Sequence, residues 1–542
     1  MLRDSQKLCG VWAMATTVWH TSTPASDTGT TVKAVSRDSS PSSLNFGLRR
    51  MSKIPDMAKK KVFITGATGN MGGAALKELL GRRDRFDIVL LARPSKKNIK
   101  KLKYLQGEPG VEIVWGDLTD YDSVLKGVTG ADYVLHIGGM VSPAADMYPE
   151  RTLKVNVQGA RNVVNAVKAQ PNRDEIGVVY IGSVAQVGNH LPPRHWGRTG
   201  DPIYTSIFDW YSVSKCLAEL VFTESGLKKW VSIRQTGMLY PALLMKANDP
   251  ITCHVPLRGV LEWSTLEDSG RVCANVCEDW VPDDFWRGFY NLSSGPSFRL
   301  TNYEFECMLL KGMGCPSVEK VFGANWFATK NFHGEWYLDS DRLDDILHFR
   351  EGITAEDYFK RMKKQLPWFF TLAPLAPAFA IKAFMKHVAV SNPLGTLYWF
   401  KHGNTERIKA HFGSLEEWKA IPDWKHQNLS RPSDDPEKAV VLHHGYDETK
   451  PVSELDIEDM KAAARFRGGE CLSETMTPGD LFTPLRWRCQ FGHEFSMTPN
   501  AVLRGGHWCP DCLPKYDPAK PNPWNFEAIA AGNPFFAQVY DH

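Results

Sequence analysis

No run of about 20 uninterrupted apolar residues, the length that spans a bilayer as a helix, occurs in this chain. The nearest approach, residues 366–381, is broken by Pro367, Pro374 and Pro377. It reads as a buried or partner-facing connector, with monotopic membrane contact as the lesser alternative. An excess of one charge is also missing. Lys and Arg number 64 against 61 Asp and Glu, a net charge of +3, which argues against a nucleic-acid or polyanion partner. Eleven cysteines, odd in number and unevenly placed, make no secreted disulfide framework. A secretory apolar core is absent too, since residues 8–18 are interrupted by Gly10 and by Thr16-Thr17. A reducing, cytoplasmic setting is the expectation. Residues 1–58 are rich in Ser and Thr and hold more Lys and Arg than Asp and Glu. They read as a disordered extension or, alternatively, a mitochondrial or plastid targeting segment.

What is present is the composition of a soluble globular protein, 43% hydrophobic and 23% charged, in a chain of 542 residues. That length calls for two or three domains. The pattern opens at residue 61, where an apolar run, Val62-Phe63-Ile64-Thr65, ends in Gly66-Ala67-Thr68-Gly69-Asn70-Met71-Gly72-Gly73 before a helical pattern (Ala74, Ala75, Leu76, Leu79, Leu80). Strand, glycine turn and helix form a phosphate cradle, because glycine admits a tight turn and close backbone approach while the helix N-terminus offers unpaired N–H groups. Further strands are expected at 87–93, over 111–120 ending in Gly116-Asp117-Leu118, over 133–139 ending in Gly138-Gly139, and at 177–183, with one helix over 150–169. Strands alternating with helices predict a parallel sheet whose strand ends collect the ligand. The second strand ends in Arg93, followed by Ser95, Lys96 and Lys97 and no carboxylate. A basic residue there accommodates a 2′-phosphate, so NADP is expected over NAD.

The chemistry follows. Ser183 closes the fifth strand, and Tyr211 and Lys215 are four apart at the start of a helix, on one face. An ammonium beside a phenol lowers the phenol's pKa toward working pH. Such a tyrosine passes a proton to or from a carbonyl oxygen that the serine hydroxyl also holds.

Residues 59 to about 350 resemble an extended short-chain dehydrogenase/reductase of the NAD-dependent epimerase/dehydratase superfamily. The resemblance rests on 65–72, on Gly116-Asp117-Leu118, on His136-Ile137-Gly138-Gly139, on Val155-Asn156-Val157-Gln158-Gly159, on Ser183, and on Tyr211 with Lys215. Arg234-Gln235-Thr236-Gly237 through Pro241 and Tyr290-Asn291-Leu292-Ser293-Ser294-Gly295 add to it. It implies an α/β, Rossmann-type doubly wound parallel sheet with a smaller substrate lobe, mostly 251–336. It further implies catalysis by Ser183, Tyr211 and Lys215 with support from Asn156. Cofactor binding would fall to Gly66, Thr68, Gly69, Asn70, Met71, Gly72, Arg93, Asp117, Leu118, Gly138, Gly139 and Thr236, together with Tyr211 and Lys215. Asp117 would contact the adenine and Thr236 the nicotinamide side. Two departures matter. Val184 and Ala185 follow Ser183 where sugar-nucleotide dehydratases of this family carry Thr-Asp or Thr-Glu, which argues against dehydration. Gln235 stands where the family usually has proline.

The activity this implies is hydride transfer between nicotinamide and a carbonyl or secondary alcohol of a small molecule. A sugar-nucleotide epimerase is the nearest alternative, and a cofactor sensor or scaffold is the alternative of another class. A homodimer is compatible with the resemblance. Between Ser183 and Tyr211, the cluster His190, Arg194, His195 and Arg198 either meets an anionic substrate group or forms a solvated loop. Asp268-Ser269-Gly270 is expected to cap a helix whose Cys273 and Cys277 pack in the core. The aromatic segments 325–327 and 331–337 either line a pocket or anchor the C-terminal region. Residues 351–470 read as a mostly helical extension. Residues 471–542 carry Cys489-x-x-x-His493 and Cys509-Pro-x-Cys512. Three thiolates and one imidazole are the donor set of a tetrahedral structural Zn²⁺ site, and the pattern resembles a zinc-ribbon or treble-clef module. A redox dithiol would need a helix starting at Cys509, against which Pro514 and Pro518 argue. Cys471 is a spare thiol that could compete as a ligand.

Overall fold

Apolar side chains fill both faces of seven parallel strands, and that arrangement fixes where the site lies. A computed structural model describes residues 58–245, 250–368, 374–520 and 524–540. The extension over 1–57 therefore lies outside the described residues. The strands are β1 (Lys60–Thr65), β2 (Phe86–Ala92), β3 (Val111–Trp115), β4 (Tyr133–His136), β5 (Gly177–Ser183), β6 (Trp230–Gln235) and β7 (Gly288–Leu292). Their spatial order is β7-β6-β5-β4-β1-β2-β3, with every neighbour parallel. Successive side chains of a strand point to opposite faces. Val62 and Ile64 of β1 accordingly join one core, with Ile88 and Leu90 of β2. Phe63, Val89 and Leu91 join the other. Burial on both sides explains why these strands read as continuous apolar runs.

Helices α1 (Asn70–Leu80) and α6 (Leu266–Asn275) cover the first face. Helices α3 (Tyr121–Val128), α4 (Gly159–Lys168) and α5 (Trp210–Thr223) cover the second, and α2 (Lys96–Leu102) follows β2. The order reverses between β1 and β4, and in open α/β sheets the ligand crevice opens at the carboxyl ends of the strands at such a point.

Two local expectations change. The helix expected over 150–169 is broken by a π-helical turn, Lys154–Gln158, between Pro149–Leu153 and α4. Wide turns of this kind often mark functional positions, and this one holds Asn156. The cap of α6 is Thr265, whose hydroxyl accepts from the Asp268 N–H at 3.0 Å. Asp268 therefore sits in the first turn rather than before it. Cys273 and Cys277 are buried in the core, as expected.

Beyond the sheet, residues of 239–327 share a third core with Tyr358, Phe359, Met362, Ile381 and Met385. The extension continues through Ala378–Ser391, Thr396–Lys401, α7 (Thr405–Phe412) and Leu415–Ala420. A fourth core joins Leu455, Met460 and Ala463 to Trp487, Met497 and Val502 around an antiparallel sheet of β8 (Glu470–Cys471), β9 (Leu485–Arg488) and β10 (Glu494–Met497), with Leu220 of α5 packed against it. In the 366–381 stretch, Trp368, Leu375 and Phe379 are 76%, 77% and 77% exposed. A buried connector is thereby excluded at those positions; residues 369–373 lie outside the described ones. Among the described residues no helix is long and apolar enough to cross a membrane.

Candidate functional site

The glycine loop leaves β1 at Gly66, whose φ of +77° suits glycine. A Cβ there would stand 2.8 Å from the Gly138 Cα, and one on Gly72 would stand 2.3 Å from the Gly66 carbonyl oxygen. The loop is thus pressed against the end of β4 on one side and folded onto itself on the other. Helix α1 begins after Gly69 with no side-chain cap and no acidic residue in its first turn. Its first N–H groups and positive dipole end remain available to a phosphate. This cradle fits a dinucleotide pyrophosphate. Thr68, Gly69 and Asn70 lie on its rim, while Met71 is buried beneath it.

Around the cradle, Leu118 wedges its side chain beside Gly138 and Gly159, and its carbonyl accepts from Asn162 Nδ2 at 2.8 Å. Asp117 Oδ1 accepts from the Thr119 N–H and hydroxyl at 2.9 and 2.8 Å, which orders the loop after β3. Gly139 lies against the Asn156 carboxamide. Asn156 Oδ1 accepts from the Met140 N–H at 2.7 Å, and Nδ2 donates to the Met140 carbonyl at 3.0 Å and to Ser214 Oγ at 2.8 Å. The side chain therefore ties the strand-end backbone to α5, a supporting rather than a reacting position. Arg93, Lys96 and Lys97 are exposed past the end of β2. Sequence reasoning missed Lys101, one helical turn beyond Lys97, whose Nζ donates to the Thr68 carbonyl at 2.9 Å. Burial and then Lys97 hold its pKa below the ordinary lysine value, and its bond to Thr68 brings an ammonium group to the cradle. The i, i+4 spacing of Lys97 and Lys101 is the signal that could have found it.

Ser183 at the end of β5 and Tyr211 in the first turn of α5 are hydrogen-bonded. Lys215 Nζ lies 5.9 Å from the Tyr211 ring centroid and donates to the Ile181 carbonyl at 2.7 Å. The three expected residues thus come together at the strand ends. Their electrostatics correct one expectation: Tyr211 is not lowered toward neutral pH. Burial pushes it up to about 12, the Ser183 hydrogen bond opposes this, and Asp209 and Asp146 add to it. Burial also pulls Lys215 down to about 8, against the pull of Glu219. Thr236, buried, follows β6. Gln235 Nε2 donates to Ser264 Oγ at 2.7 Å and to the Thr236 carbonyl at 2.9 Å.

Behind this group lies a buried network that sequence reasoning did not find. Gln186 Oε1 accepts from the Ser183 N–H at 2.8 Å, and its Nε2 donates to Glu219 Oε2 at 2.9 Å. Glu219, one turn past Lys215, pairs with Arg234 at 2.8 Å and meets His507 Nε2 at 2.6 Å. Burial disfavours its charge, but Arg234 and the His507 bond overcome that and hold the carboxyl well below the usual carboxylate range. Arg234 also donates to the Gly505 carbonyl at 2.6 Å. The C-terminal module therefore contacts α5 and its partner Arg234 through residues just before Cys509.

In that module, the Cys489, His493, Cys509 and Cys512 ligand atoms all lie within 4.8 Å of one another. His493 Nδ1 stands 3.4, 3.6 and 3.6 Å from the sulfurs of Cys489, Cys509 and Cys512, and the Cys489 and Cys512 sulfurs are 3.8 Å apart. Bonds of about 2.3 Å to sulfur and about 2.0–2.1 Å to nitrogen give tetrahedral edges of about 3.8 Å (S···S) and about 3.6 Å (S···N). The donor set fits Zn²⁺ in kind and spacing. Cys471 stands outside the cluster. No α-helix starts at Cys509, where Pro510–Cys512 form a single 3-10 turn.

The basic cluster between Ser183 and Tyr211 is packed against the C-terminal part of the chain rather than solvated. His190 and His195 are buried. His195 Nε2 meets the Ser433 carbonyl at 2.9 Å, Arg198 donates to the Leu442 carbonyl at 3.1 Å and to Glu448 at 2.8 Å, and Arg194 bonds the Gln538 carbonyl. These side chains anchor the C-terminal third of the chain. The aromatic segments divide. Asn325 and Trp326 offer carbonyls to Trp418 and Thr396 of the extension at 2.8 and 2.7 Å, whereas Phe332 and His333 line a cleft of about 480 Å³ beside the start of α5.

Comparison with known proteins places these features. Residues 62–233 match the model of the NAD dependent epimerase/dehydratase family. A UDP-glucose 4-epimerase of Rickettsia bellii (strain RML369-C) is 31% identical over 111 residues, 20% of this chain and 32% of that protein. Anthocyanidin reductase of Arabidopsis thaliana is 26% identical over 167 residues, 30% of this chain and 49% of that protein. The chain thus spans about a third of the length of the first of these relatives and about half of the second. Among solved structures, dTDP-glucose 4,6-dehydratase DesIV of Streptomyces venezuelae, with NAD and TYD bound, aligns with a TM-score of 0.45 at 17% identity, covering 57% of this chain and 96% of that one. UDP-glucose 4-epimerase of Thermus thermophilus, in complex with NAD, aligns with a TM-score of 0.43 at 16% identity, covering 56% and 98%.

Proposed function

We propose that this chain is a nicotinamide-dependent oxidoreductase, NADP-preferring, acting on a carbonyl or secondary alcohol of a small molecule. The observation that carries the reading is the Ser183–Tyr211 hydrogen bond beside Lys215, at the same strand ends as the glycine cradle. A nicotinamide dinucleotide, when bound, supplies or takes up the hydride. The chain's residues do the rest. Gly66, Gly69 and Gly72 admit the pyrophosphate, and the N-terminus of α1 meets its charge. Ser183 Oγ donates to the substrate oxygen and fixes its position against Tyr211. Tyr211 Oη gives a proton to that oxygen in reduction and takes it back in oxidation. A phenol kept protonated by burial suits the reducing direction, and Lys215, held near α5 by the Ile181 carbonyl, supplies positive charge when the proton leaves.

Arg93, Lys97 and Lys101 support NADP, since no carboxylate stands among them to accept from a 2′-hydroxyl. Val184 and Ala185, both buried, offer no acid–base pair for loss of water. A second reading, a sugar-nucleotide epimerase that keeps its cofactor, draws on the UDP-glucose 4-epimerase segment matches. A scaffold role is disfavoured by the retention of both Tyr211 and Lys215. Residues 489–512 are assigned a structural Zn²⁺, because four protein donors close the coordination sphere and leave no open position. The reading places the substrate lobe mostly in 251–336, the extension in 351–470 and the zinc module in 471–542.

Tyr211→Phe tests the assignment. Turnover of NADPH should vanish while NADPH affinity stays within about twofold of wild type. Unchanged turnover would contradict it. Cofactor released freely into solution on turnover favours the dehydrogenase, and cofactor retained through many turnovers favours the epimerase.

A further inference from the structure

The cleft of about 480 Å³ beside α5 contains a cation that the reaction described above does not use. Arg407, on α7 of the helical extension, lines it together with Asp146, Asp209 and His333. The cleft adjoins the catalytic group directly: Asp146 Oδ1 accepts from the Tyr211 N–H at 3.3 Å, and Asp209 is the N-cap of α5. The Arg407 guanidinium carbon lies 4.6 Å from the Phe208 ring centroid and 5.4 Å from that of Trp399. Aromatic rings hold a guanidinium by its face, which leaves its N–H edge to a ligand. Among the described residues no carboxylate pairs with Arg407, and no side chain or carbonyl accepts from its guanidinium.

The two acids nearby are already engaged. Asp146 accepts from the N–H groups at the start of α5 and from Ser142. Asp209 Oδ1 accepts from the Ser212 N–H at 2.8 Å, and its Oδ2 meets His333 Nδ1 at 3.2 Å. His254 and His411, two further histidines on the walls besides His333, are held below the usual histidine range by burial, and His411 is bonded to its own helix and to Asn331. Arg407 is therefore the one guanidinium or ammonium group lining the cleft among the described residues. A fork of N–H donors matches an oxyanion in bidentate fashion, and apolar wall is supplied by Pro143, Ile207, Phe332 and Leu394 beside the polar Ser142, Ser206 and Asn331.

We propose that Arg407 is a substrate-binding residue: the helical extension completes the active site, and the substrate carries an oxyanion, carboxylate or phosphate, on an apolar body. This substrate class rests on the oxidoreductase reading, but the binding event does not, and the test uses binding alone. Benzoate, phenyl phosphate and the neutral benzamide are titrated into the full chain saturated with NADP, with Trp fluorescence and calorimetry as readouts. At least one anion should bind about tenfold or more tightly than benzamide. Benzoate ahead of phenyl phosphate assigns a carboxylate, and the reverse order a phosphate. Arg407→Met should bring anion and benzamide affinities within about twofold while leaving benzamide and NADP binding and the melting temperature unchanged. Arg407→Lys should retain part of the preference. Tyr211→Phe should retain all of it, so that a failure of hydride chemistry in that variant is distinguishable from a failure here. Equal affinities for all three probes in the wild type, no anion binding, or a preference that survives Arg407→Met would overturn the proposal.

Discussion

Ser183, Tyr211 and Lys215 stand together at the carboxyl ends of the sheet strands, and the charges of Tyr211 and Lys215 depend on their burial. Cys489, His493, Cys509 and Cys512 face one another across distances that already match the edges of a tetrahedron. In the function proposed above the first group is the one that meets reactants, and its surroundings tune it: burial pushes Tyr211 up to about 12 and pulls Lys215 down to about 8. The second is closed on itself. An open site is tested through ligands and rates, whereas a closed one is tested through metal content and stability. The Glu219–His507 bond joins the two regions, so the C-terminal module braces the helix that carries Tyr211 and Lys215.

The largest effect should come from the open site. Tyr211→Phe removes the proton donor and should lower kcat by about 10²–10⁴-fold or more in steady-state assays, while metal content stays unchanged. Next is the bond between the regions. Glu219→Ala leaves Arg234 buried without its partner, and breaking such a pair costs about 3–5 kcal/mol; chemical denaturation should read a loss of that order. A destabilisation below about 1 kcal/mol would mean that the network is not formed as described. For the closed site, Cys509→Ser should drop bound zinc from about one ion per chain to a level undetected by atomic absorption, and should lower the melting temperature without moving the NADP-to-NAD preference.

Smaller effects sharpen the account of the cradle. Replacing Lys101 with Ala should reduce the preference for NADP over NAD by about tenfold, the change expected when one charge-assisted contact of about 1.4 kcal/mol is lost; an unchanged ratio would remove Lys101 from the cofactor site. The pH profile is subtler. Lys215 is charged below about 8 and neutral above it. Carbonyl reduction should therefore fall as pH rises through that value, and Lys215→Arg, which stays charged, should shift the fall upward. A profile flat to pH 10 would show that the ammonium is not required.

Much of this was legible in the chain because the signals are local. The glycine loop, the five strands before Tyr211, the Ser183–Tyr211–Lys215 set and the Cys/His spacing each lie within short, patterned segments, and the structure brings each set together. What escaped was long-range. Gln186 meets Glu219 across 33 residues and His507 meets Glu219 across 288, and no periodicity announces such a pairing. The basic loop at His190–Arg198 carried the composition of a solvated segment, yet its partners at 433–448 and 538 bury it. Arg407 stands in no motif, and only the fold brings Phe208, 199 residues away in sequence, to its guanidinium. The Tyr211 pKa was misjudged for a related reason: spacing reveals a neighbouring lysine, but not the burial that outweighs it.

The claim at the centre of this account is that a nicotinamide cofactor and Tyr211 act on one substrate carbonyl, the hydride at its carbon and the proton at its oxygen. Its most direct measurement is isotope transfer. The full chain is incubated with NADPH deuterated at the nicotinamide C4 and a panel of carbonyl compounds bearing carboxylate or phosphate groups, and the alcohol products are read by mass spectrometry. Deuterium should appear on the carbinol carbon with wild type and be absent with Tyr211→Phe, although both bind NADPH. Wild-type protein that binds NADPH but transfers no deuterium, or transfer undiminished in Tyr211→Phe, would contradict the claim.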